Sequence, residues 1–298
     1  MANLRDIRNR ISSVNNTQQI TKAMKMVAAA KLRKAQDRMT QTRPYASKIA
    51  EVAGRLTDSS NASNPVMRKP EEVRNVLFIV VGSDRGLCGG FNNNLFKEVE
   101  KQLQENFEKH LENKTLSVVA IGKKATAYFK KRKYNVIESF PGFFDDIQYD
   151  ATADIMTSAT KQFVEGEFDG VYIAYNEFKS VIAQNRKVQQ VLPIDTESIG
   201  NTKTDTASEQ AIDYIYEPNS QAILDRLLPL HLNMQLWRAV LESNASEQGA
   251  RMTAMDSATE NAKDLEKELR LKYNQARQSA ITTEISEIVS GAQALSED

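Results

Sequence analysis

The chain has 298 residues, and its 39 Lys and Arg residues are balanced by 39 Asp and Glu residues. Hydrophobic residues make up 41%, which is enough to build a buried core, whereas Gly (12) and Pro (7) are scarce. These numbers argue against a strongly basic nucleic-acid-binding protein, a turn-rich all-β fold and a low-complexity chain. The single cysteine, Cys88, excludes an internal disulfide, and the two histidines are too few to favour a histidine-based metal site.

Charge is distributed unevenly along this neutral chain. Residues 1–56 contain twelve basic and three acidic residues, which gives a net charge of +9, whereas residues 209–298 have a net charge of −7. This asymmetry predicts that the two ends attract each other, that the basic end binds a polyanionic partner, or both.

No targeting or membrane-spanning segment is indicated. No apolar run approaches the roughly 20 residues needed to cross a bilayer, and the first residues lack an apolar signal region. The basic N-terminal segment follows a sustained heptad pattern, so we interpret it as structure and not as a transit peptide. We therefore expect the protein to be kept in a cytosol-like compartment.

The first segment predicts one long helix, from Leu4 to about Leu56. Twelve of the sixteen a and d positions of a heptad that starts at Leu4 are apolar, which is typical of a coiled-coil seam. The polar positions Gln18, Thr21 and Lys25 interrupt the seam, and we expect weaker pairing there. Pro44 permits a slight bend, and the polar residues 58–65 end the helix.

The middle of the chain has the pattern of a small α/β (Rossmann-like) domain. Buried-strand patterns occur at 76–81, 116–122, 135–137, 170–176 and 181–192, and the last segment can pair with the one before it as a hairpin. Helical patterns occur at 92–104, 123–133 and 151–165. Strands that alternate with helices predict a mostly parallel sheet. Residues 200–208 are polar and predict a loop.

The last segment predicts a second long helix, from about Asn219 to Gly291. Its apolar stripe consists of Ile223, Leu227, Leu230, Met234, Trp237, Leu241, Ala245, Met252, Met255, Ala258, Ala262, Leu265 and Leu269. We expect this helix to pair antiparallel with the first one and to extend beyond it. The remaining apolar strip then lacks a partner within the chain and predicts an external apolar socket: Ile281, Ile285, Ile288, Ala292 and Leu295. The expected parts are residues 1–57, 73–208 and 209–298.

The loop at Gly82–Gly90 follows a strand and precedes a helix, which is where doubly wound folds bind phosphate groups. It has neither a GxGxxG fingerprint nor the Lys-Ser/Thr of a P-loop, so we favour a tight structural turn. We likewise favour a buried Cys88 over a reactive thiol. Several carboxylates could pair, but no nucleophile or histidine arrangement accompanies them: Asp84, Glu98, Glu100, Asp145, Asp146 and Asp150.

The basic residues on the first helix allow two interpretations, a solvated coiled-coil face or a docking surface for an acidic partner. Two further hypotheses for the whole chain are a nucleotide-dependent α/β enzyme with coiled-coil arms, and a cytoskeletal or nucleic-acid-bridging coiled coil that uses the basic helix. The first requires phosphate binding at Gly82–Gly90, and the second predicts strongly salt-dependent DNA binding.

Two long segments resemble the γ subunit of F-type ATP synthases. Residues 20–35, ITKAMKMVAAAKLRKA, resemble the N-terminal signature of that family, and residues 273–292, YNQARQSAITTEISEIVSGA, resemble its C-terminal signature. Residues 83–92 and 242–252 also match, so the resemblance covers the whole chain in order.

The resemblance implies a rotor shaft, formed by an antiparallel, left-handed coiled coil inside a ring of three α and three β subunits. It places the α/β domain near the ε subunit and the membrane ring of c subunits, and it places catalysis on β and not on this chain. It implies no cofactor, no nucleic acid and no membrane insertion. The absence of a transit peptide and of a regulatory cysteine insert favours a bacterial protein, peripheral on the cytoplasmic face of the cell membrane.

The resemblance also implies contact residues. The residues that couple this chain to the β subunits are Lys22, Met24, Lys25, Arg33, Arg251, Arg277, Gln278, Thr282 and Glu287. The apolar bearing comprises Ile281, Ile285, Ile288, Ala292 and Leu295. The foot that faces the c ring and ε comprises Tyr214, Tyr216 and Glu217.

Overall fold

The computed structural model describes residues 4–59, 64–194, 217 and 219–296. The chain divides into two compact units. The helical unit combines Met1–Ala28 with Met252–Asp298, and the α/β unit comprises Ala29–Arg251.

The two predicted long helices are confirmed. Helix α1 extends over Leu4–Ser59, and helix α6 extends over Ser220–Ser296. Each contains one proline, Pro44 in α1 and Pro229 in α6. None of the sixteen predicted seam positions of α1 is exposed, because the heptad pattern keeps them on the face that packs.

Among the described residues of the α/β unit, five strands and four shorter helices accompany α1 and α6. In chain order they are β1 (Val76–Val81), α2 (Phe91–Asn106), α3 (Glu108–Glu112), β2 (Leu116–Ile121), α4 (Lys123–Lys131), β3 (Asn135–Phe140), α5 (Tyr149–Val164), β4 (Gly170–Phe178) and β5 (Gln184–Leu192). A short 3-10 helix over Pro65–Met67 precedes β1. The strand order is β3-β2-β1-β4-β5. All neighbouring strands are parallel except β4 and β5, which form the expected antiparallel hairpin.

The alternating side chains of β1 divide between two cores. Leu77 and Ile79 belong to a cluster with α5 and with parts of α1 and α6, whereas Val76, Phe78 and Val80 pack against α2 and α4. All six residues of β1 are buried, since helices cover both faces of the sheet. This double coverage makes β1 a continuous apolar run in the sequence.

Within the α/β unit, α6 has a second apolar row that the sequence analysis missed. Its residues are spaced four apart and are fully buried against the sheet core: Leu224, Leu228, Leu232, Leu236 and Val240. The predicted stripe is wrong at Leu265, in the helical unit, where 45% of the side chain is exposed. In the α/β unit α6 is buried on two sides, so its sequence lacks a single clear stripe.

Candidate partner-binding surfaces

The two segments of the helical unit pair antiparallel, because residue numbers on α6 fall as those on α1 rise. Arg8 Nη2 donates to the Tyr273 hydroxyl over 2.8 Å. The hydroxyl groups of Thr21 and Thr259 are 2.8 Å apart, and Lys25 forms an ion pair with Asp256.

These contacts lie at the polar seam positions, where the sequence predicts weaker pairing. Thr21 is buried with a hydroxyl partner on α6, and Lys25 has a carboxylate partner there. The seam is polar at this point, yet it is closed by cross-helix contacts. Polar pairs of this kind fix the register of a coiled coil more than they stabilise it.

The predicted attraction between the basic and acidic ends occurs at Lys25, but much of the acidic charge on α6 is met within α6. Glu266 pairs with Arg270, and Glu268 pairs with Lys272, each one turn along the helix. On α1, Lys22 and Arg33 are exposed, and neither forms an ion pair with a carboxylate of the described residues. These two cations are therefore available to an acidic partner.

Met24 lies in an apolar row on α1 that sequence reasoning did not identify. Met24 is half-buried, and Ile20 and Val27, four residues before it and three after it, are 60% and 56% exposed. The spacing places the three side chains on one face of the helix. The only sequence signal for this row was its position beside the seam. Apolar residues next to a seam normally pack against the partner helix, so this signal predicted burial and not an exposed row.

The C-terminal end of α6 is exposed on all sides. Every residue from 277 to 292 is exposed, which includes Arg277, Gln278, Thr282 and Glu287. Among the apolar residues, the exposed fractions of Ile281, Ile285 and Ile288 are 47%, 56% and 67%. Ala292 is also exposed, whereas the side chain of Leu295 lies outside the described residues.

Of the three foot residues, Glu217 is exposed. Tyr214 and Tyr216 lie outside the described residues, as does the predicted loop at 200–208.

Arg251 is buried in the α/β unit. Its guanidinium donates to Glu247 Oε1 over 2.6 Å and to Gln248 Oε1 over 3.1 Å. It also donates to the backbone oxygen of Gly86 over 3.2 Å, within the loop between β1 and α2. Arg251 thus joins α6 to this loop.

The Gly82–Gly90 loop is held by its own side chains. The carboxylate of Asp84 accepts hydrogen bonds from the backbone N–H groups of Lys123, Gly142 and Phe144 at 2.7–2.9 Å. Cys88 is buried as expected, and burial raises the pKa of its thiol, so the reactive thiolate is disfavoured at neutral pH.

Helix α6 covers the sheet where a doubly wound fold normally binds its ligand. That place is the carboxyl end of the strands at the β1/β4 switch point. There, Ser243 Oγ donates to Val81 O over 3.3 Å, and Ser246 Oγ donates to Asn176 O over 3.0 Å. A Cβ on Gly249 would lie 3.2 Å from Val181 O, so the backbones are also close. This filled crevice argues against the hypothesis of a nucleotide-dependent enzyme.

Among the described residues, no helix is both long enough and apolar enough to cross a membrane.

Comparisons with known proteins cover the whole chain. A family model described as ATP synthase matches residues 3–295. The ATP synthase gamma chain of Chlorobaculum tepidum is 50% identical over 296 residues, and that of Chlorobium phaeobacteroides strain BS1 is 49% identical over 296 residues; each alignment covers 99% of both chains.

Solved structures agree in fold. A chain of the Euglena gracilis mitochondrial ATP synthase rotor aligns with a TM-score of 0.64 at 21% identity, covering 93% of this chain and 98% of that one. A chain of the Tetrahymena thermophila mitochondrial ATP synthase central stalk and c ring aligns with a TM-score of 0.59 at 24% identity, covering 80% and 99%. Since the family model and the curated relatives span the full length and the fold agrees, the chain belongs to the family of bacterial ATP synthase gamma chains.

Proposed function

We propose that this chain is the central-stalk rotor subunit of a bacterial ATP synthase and is not itself catalytic. It couples ion flow through the membrane c ring to sequential nucleotide-state changes in the β subunits by rotating inside the α/β hexamer. Its partners are three α and three β subunits, the ε subunit and the c ring, and it is peripheral on the cytoplasmic face of the membrane. Residues 1–57 and 209–298 form the shaft, and residues 73–208 form the insert nearest the membrane.

The observation that carries this proposal is the exposed C-terminal end of α6. Three isoleucines one turn apart are each about half exposed or more: Ile281, Ile285 and Ile288. An exposed apolar row of this kind is typical of a surface that another protein covers. We assign the row, with Ala292 and Leu295, to an apolar bearing inside the ring of α and β subunits. Arg277, Gln278, Thr282 and Glu287 contact β beside it.

The β-facing surface on α1 combines cations with the apolar row around Met24. Lys22 and Arg33 have no described carboxylate partner, and Lys25 has only an exposed one. Single exposed ion pairs contribute little free energy, so we expect coupling to be spread over many such contacts. As an asymmetric shaft turns, each β subunit meets a different set of contacts and changes its preferred nucleotide state.

Transmission of torque requires a stiff connection between the insert and the shaft. The hydroxyls of Ser243 and Ser246 and the guanidinium of Arg251 bond α6 to the strand ends and to the β1–α2 loop. We propose that Arg251 takes part in coupling through this loop and not by direct contact with β. Glu217, with Tyr214 and Tyr216, is assigned to the foot that meets the c ring and ε.

The test is reconstitution with α and β subunits, followed by size exclusion and an ATP hydrolysis assay. We expect a complex that co-elutes and whose hydrolysis depends on this chain and falls when residues after Arg277 are removed. A finer test compares the variant Ile288→Asp with the control variant Leu271→Asp. Both side chains are exposed, at 67% and 64%, but only Ile288 lies in the proposed bearing. We expect Ile288→Asp to reduce chain-dependent hydrolysis and Leu271→Asp to leave it near the wild-type value.

Two results would contradict the proposal. The first is a chain that folds by circular dichroism yet forms no complex with α and β. The second is a complex whose hydrolysis is unaffected by the truncation.

A further inference from the structure

A cavity of about 340 Å³ lies within the α/β unit, at the meeting point of α1, the β4–β5 hairpin and α6. Helix α1 contributes Arg43, Ser47 and two alanines, the hairpin contributes Tyr175, and α6 contributes Met234 and Arg238 among others. The volume is in the range of cavities that hold small organic molecules. None of the residues that line it is acidic.

Two arginines lie on the polar wall of the cavity, and the buried carboxylate of Glu242 beside Arg238 offsets part of their charge. Arg43 is exposed and forms no ion pair with a carboxylate of the described residues; its guanidinium contacts the sulfur of Met39 at 3.9 Å. Arg238 uses its Nε to donate to Glu242 Oε1 over 2.7 Å, and no described residue accepts a hydrogen bond from its two Nη groups. Burial lowers the pKa of His231, so this ring is neutral at pH 7.

Tyr175 provides a second, independent observation. Its side chain is 97% buried, since its exposed fraction is 3%, and it lines the cavity. Its hydroxyl forms no hydrogen bond with any residue that the structure describes. Among the described residues, the only buried side-chain oxygen or nitrogen without a partner is Glu242 Oε2, so the Tyr175 hydroxyl is open to the cavity and its donor is not used within the fold.

We propose that this cavity binds a small organic anion, whose carboxylate or phosphate group is held by Arg43 and Arg238 with a hydrogen bond from the Tyr175 hydroxyl. Guanidinium groups bind both kinds of oxyanion through charge-assisted hydrogen bonds. Met234 and the two alanines of α1, Ala46 and Ala50, supply an apolar wall for the rest of the molecule. This site does not depend on the proposed rotor function.

Binding at this place has a mechanical consequence. The bound anion would contact α1, the hairpin and α6 together, so it would favour the conformation in which the three are packed. A ligand that binds only the folded state stabilises that state by RT ln(1 + [L]/Kd), so the melting temperature rises with ligand concentration.

The test is isothermal titration calorimetry on the full-length chain with benzoate, phenyl phosphate and benzyl alcohol. These probes carry the same ring with a carboxylate, a phosphate or a neutral group. We expect saturable binding of at least one anion and none of the alcohol, and the preferred anion identifies the head group. Arg43→Gln and Tyr175→Phe should each weaken binding by about tenfold, as expected for loss of one hydrogen bond to a charged group.

Arg38→Gln is the matched control, because Arg38 is an exposed arginine five residues before Arg43 on the same helix and does not line the cavity. This variant should bind as the wild type does. The proposal is overturned if neither anion binds saturably, if the alcohol binds as well as the anions, or if Arg43→Gln and Arg38→Gln have equal effects.

Discussion

The guanidinium of Arg251 lies 2.6 Å from the carboxylate of Glu247, one turn earlier on α6, and both side chains are buried. Burial raises the pKa of Glu247, and the charge of Arg251 opposes that shift. The same guanidinium reaches Gly86 O, so one buried pair holds both the helix and the β1–α2 loop. A buried pair of this kind is sensitive to the loss of one partner, which leaves the other charge without compensation.

We predict that Arg251→Gln lowers the free energy of unfolding by about 3 kcal/mol, because it leaves the buried Glu247 carboxylate unpaired. The double variant Arg251→Gln/Glu247→Gln should recover a large part of this loss. Urea unfolding followed by the fluorescence of Trp237, the single tryptophan, measures both. Equal stability of the single and double variants would show that the pair does not act as a unit.

A second prediction concerns Asp84, which accepts three backbone hydrogen bonds. Asp84→Asn keeps the shape but replaces one accepting oxygen with a donor, so we expect a loss of about 2 kcal/mol. Amide hydrogen exchange should become faster at Gly142 and Phe144. The control is Asp145→Asn, since the Asp145 carboxylate lies 3.5 Å from Arg85 in an exposed pair. That change should cost less than about 1 kcal/mol.

A third prediction tests the surface of α1 that we propose contacts the β subunits. Met24→Lys adds a cation to the apolar row formed with Ile20 and Val27, where it creates a new cation–carboxylate contact with an acidic partner. We expect proton pumping per ATP hydrolysed to fall in membranes that carry the variant. Removing a charge at Lys25 or Arg33 should be tolerated.

Met26→Lys is the control for this change, because Met26 is 60% exposed but does not share the face of Met24. If Met24→Lys left the pumping efficiency unchanged, or if both substitutions reduced it equally, the assigned contact face would be wrong.

A fourth prediction concerns pH and His231. Burial lowers the pKa of this histidine in the folded chain, so below its ordinary value of about 6.5 the unfolded chain binds the proton more readily. The stability that depends on a neutral His231 is therefore present above that value and is lost as the pH falls toward the folded-state pKa. We expect wild-type stability to fall more steeply between about pH 7.5 and pH 5.5 than that of His231→Gln. Parallel pH profiles of the two proteins would contradict this assignment.

The sequence predicted the local elements well where one physical pattern dominated. Strand β1 has the predicted bounds, Val76–Val81, because an apolar run covered on both faces is distinctive. The hairpin of β4 and β5 is likewise confirmed, although β5 begins at Gln184 and not at Val181. Such end points depend on which backbone groups find partners, which a pattern of side chains does not specify.

The candidate contact residues were only partly predictable. The signatures indicated Met24 and the three isoleucines near the end of α6, but the exposure of Ile20 and Val27 follows from which face of α1 the partner helix covers. Likewise, Lys25 belonged to the expected docking set, yet its neighbour Asp256 lies 231 residues away in the chain. No local pattern predicts that pairing.

By itself the sequence determined the two long helices, the seam of α1 and the alternation of strands and helices, because these depend on periodicity along the chain. Only the tertiary structure decided what α6 does within the α/β unit. There it is buried on two sides, so Leu224 and Leu228 face the sheet core, while polar residues such as Ser246 and Arg251 are buried against strand ends and a loop. A polar residue on a helix normally predicts a solvent-facing position. It is buried here because its hydrogen-bond partners come from elements far away in the sequence.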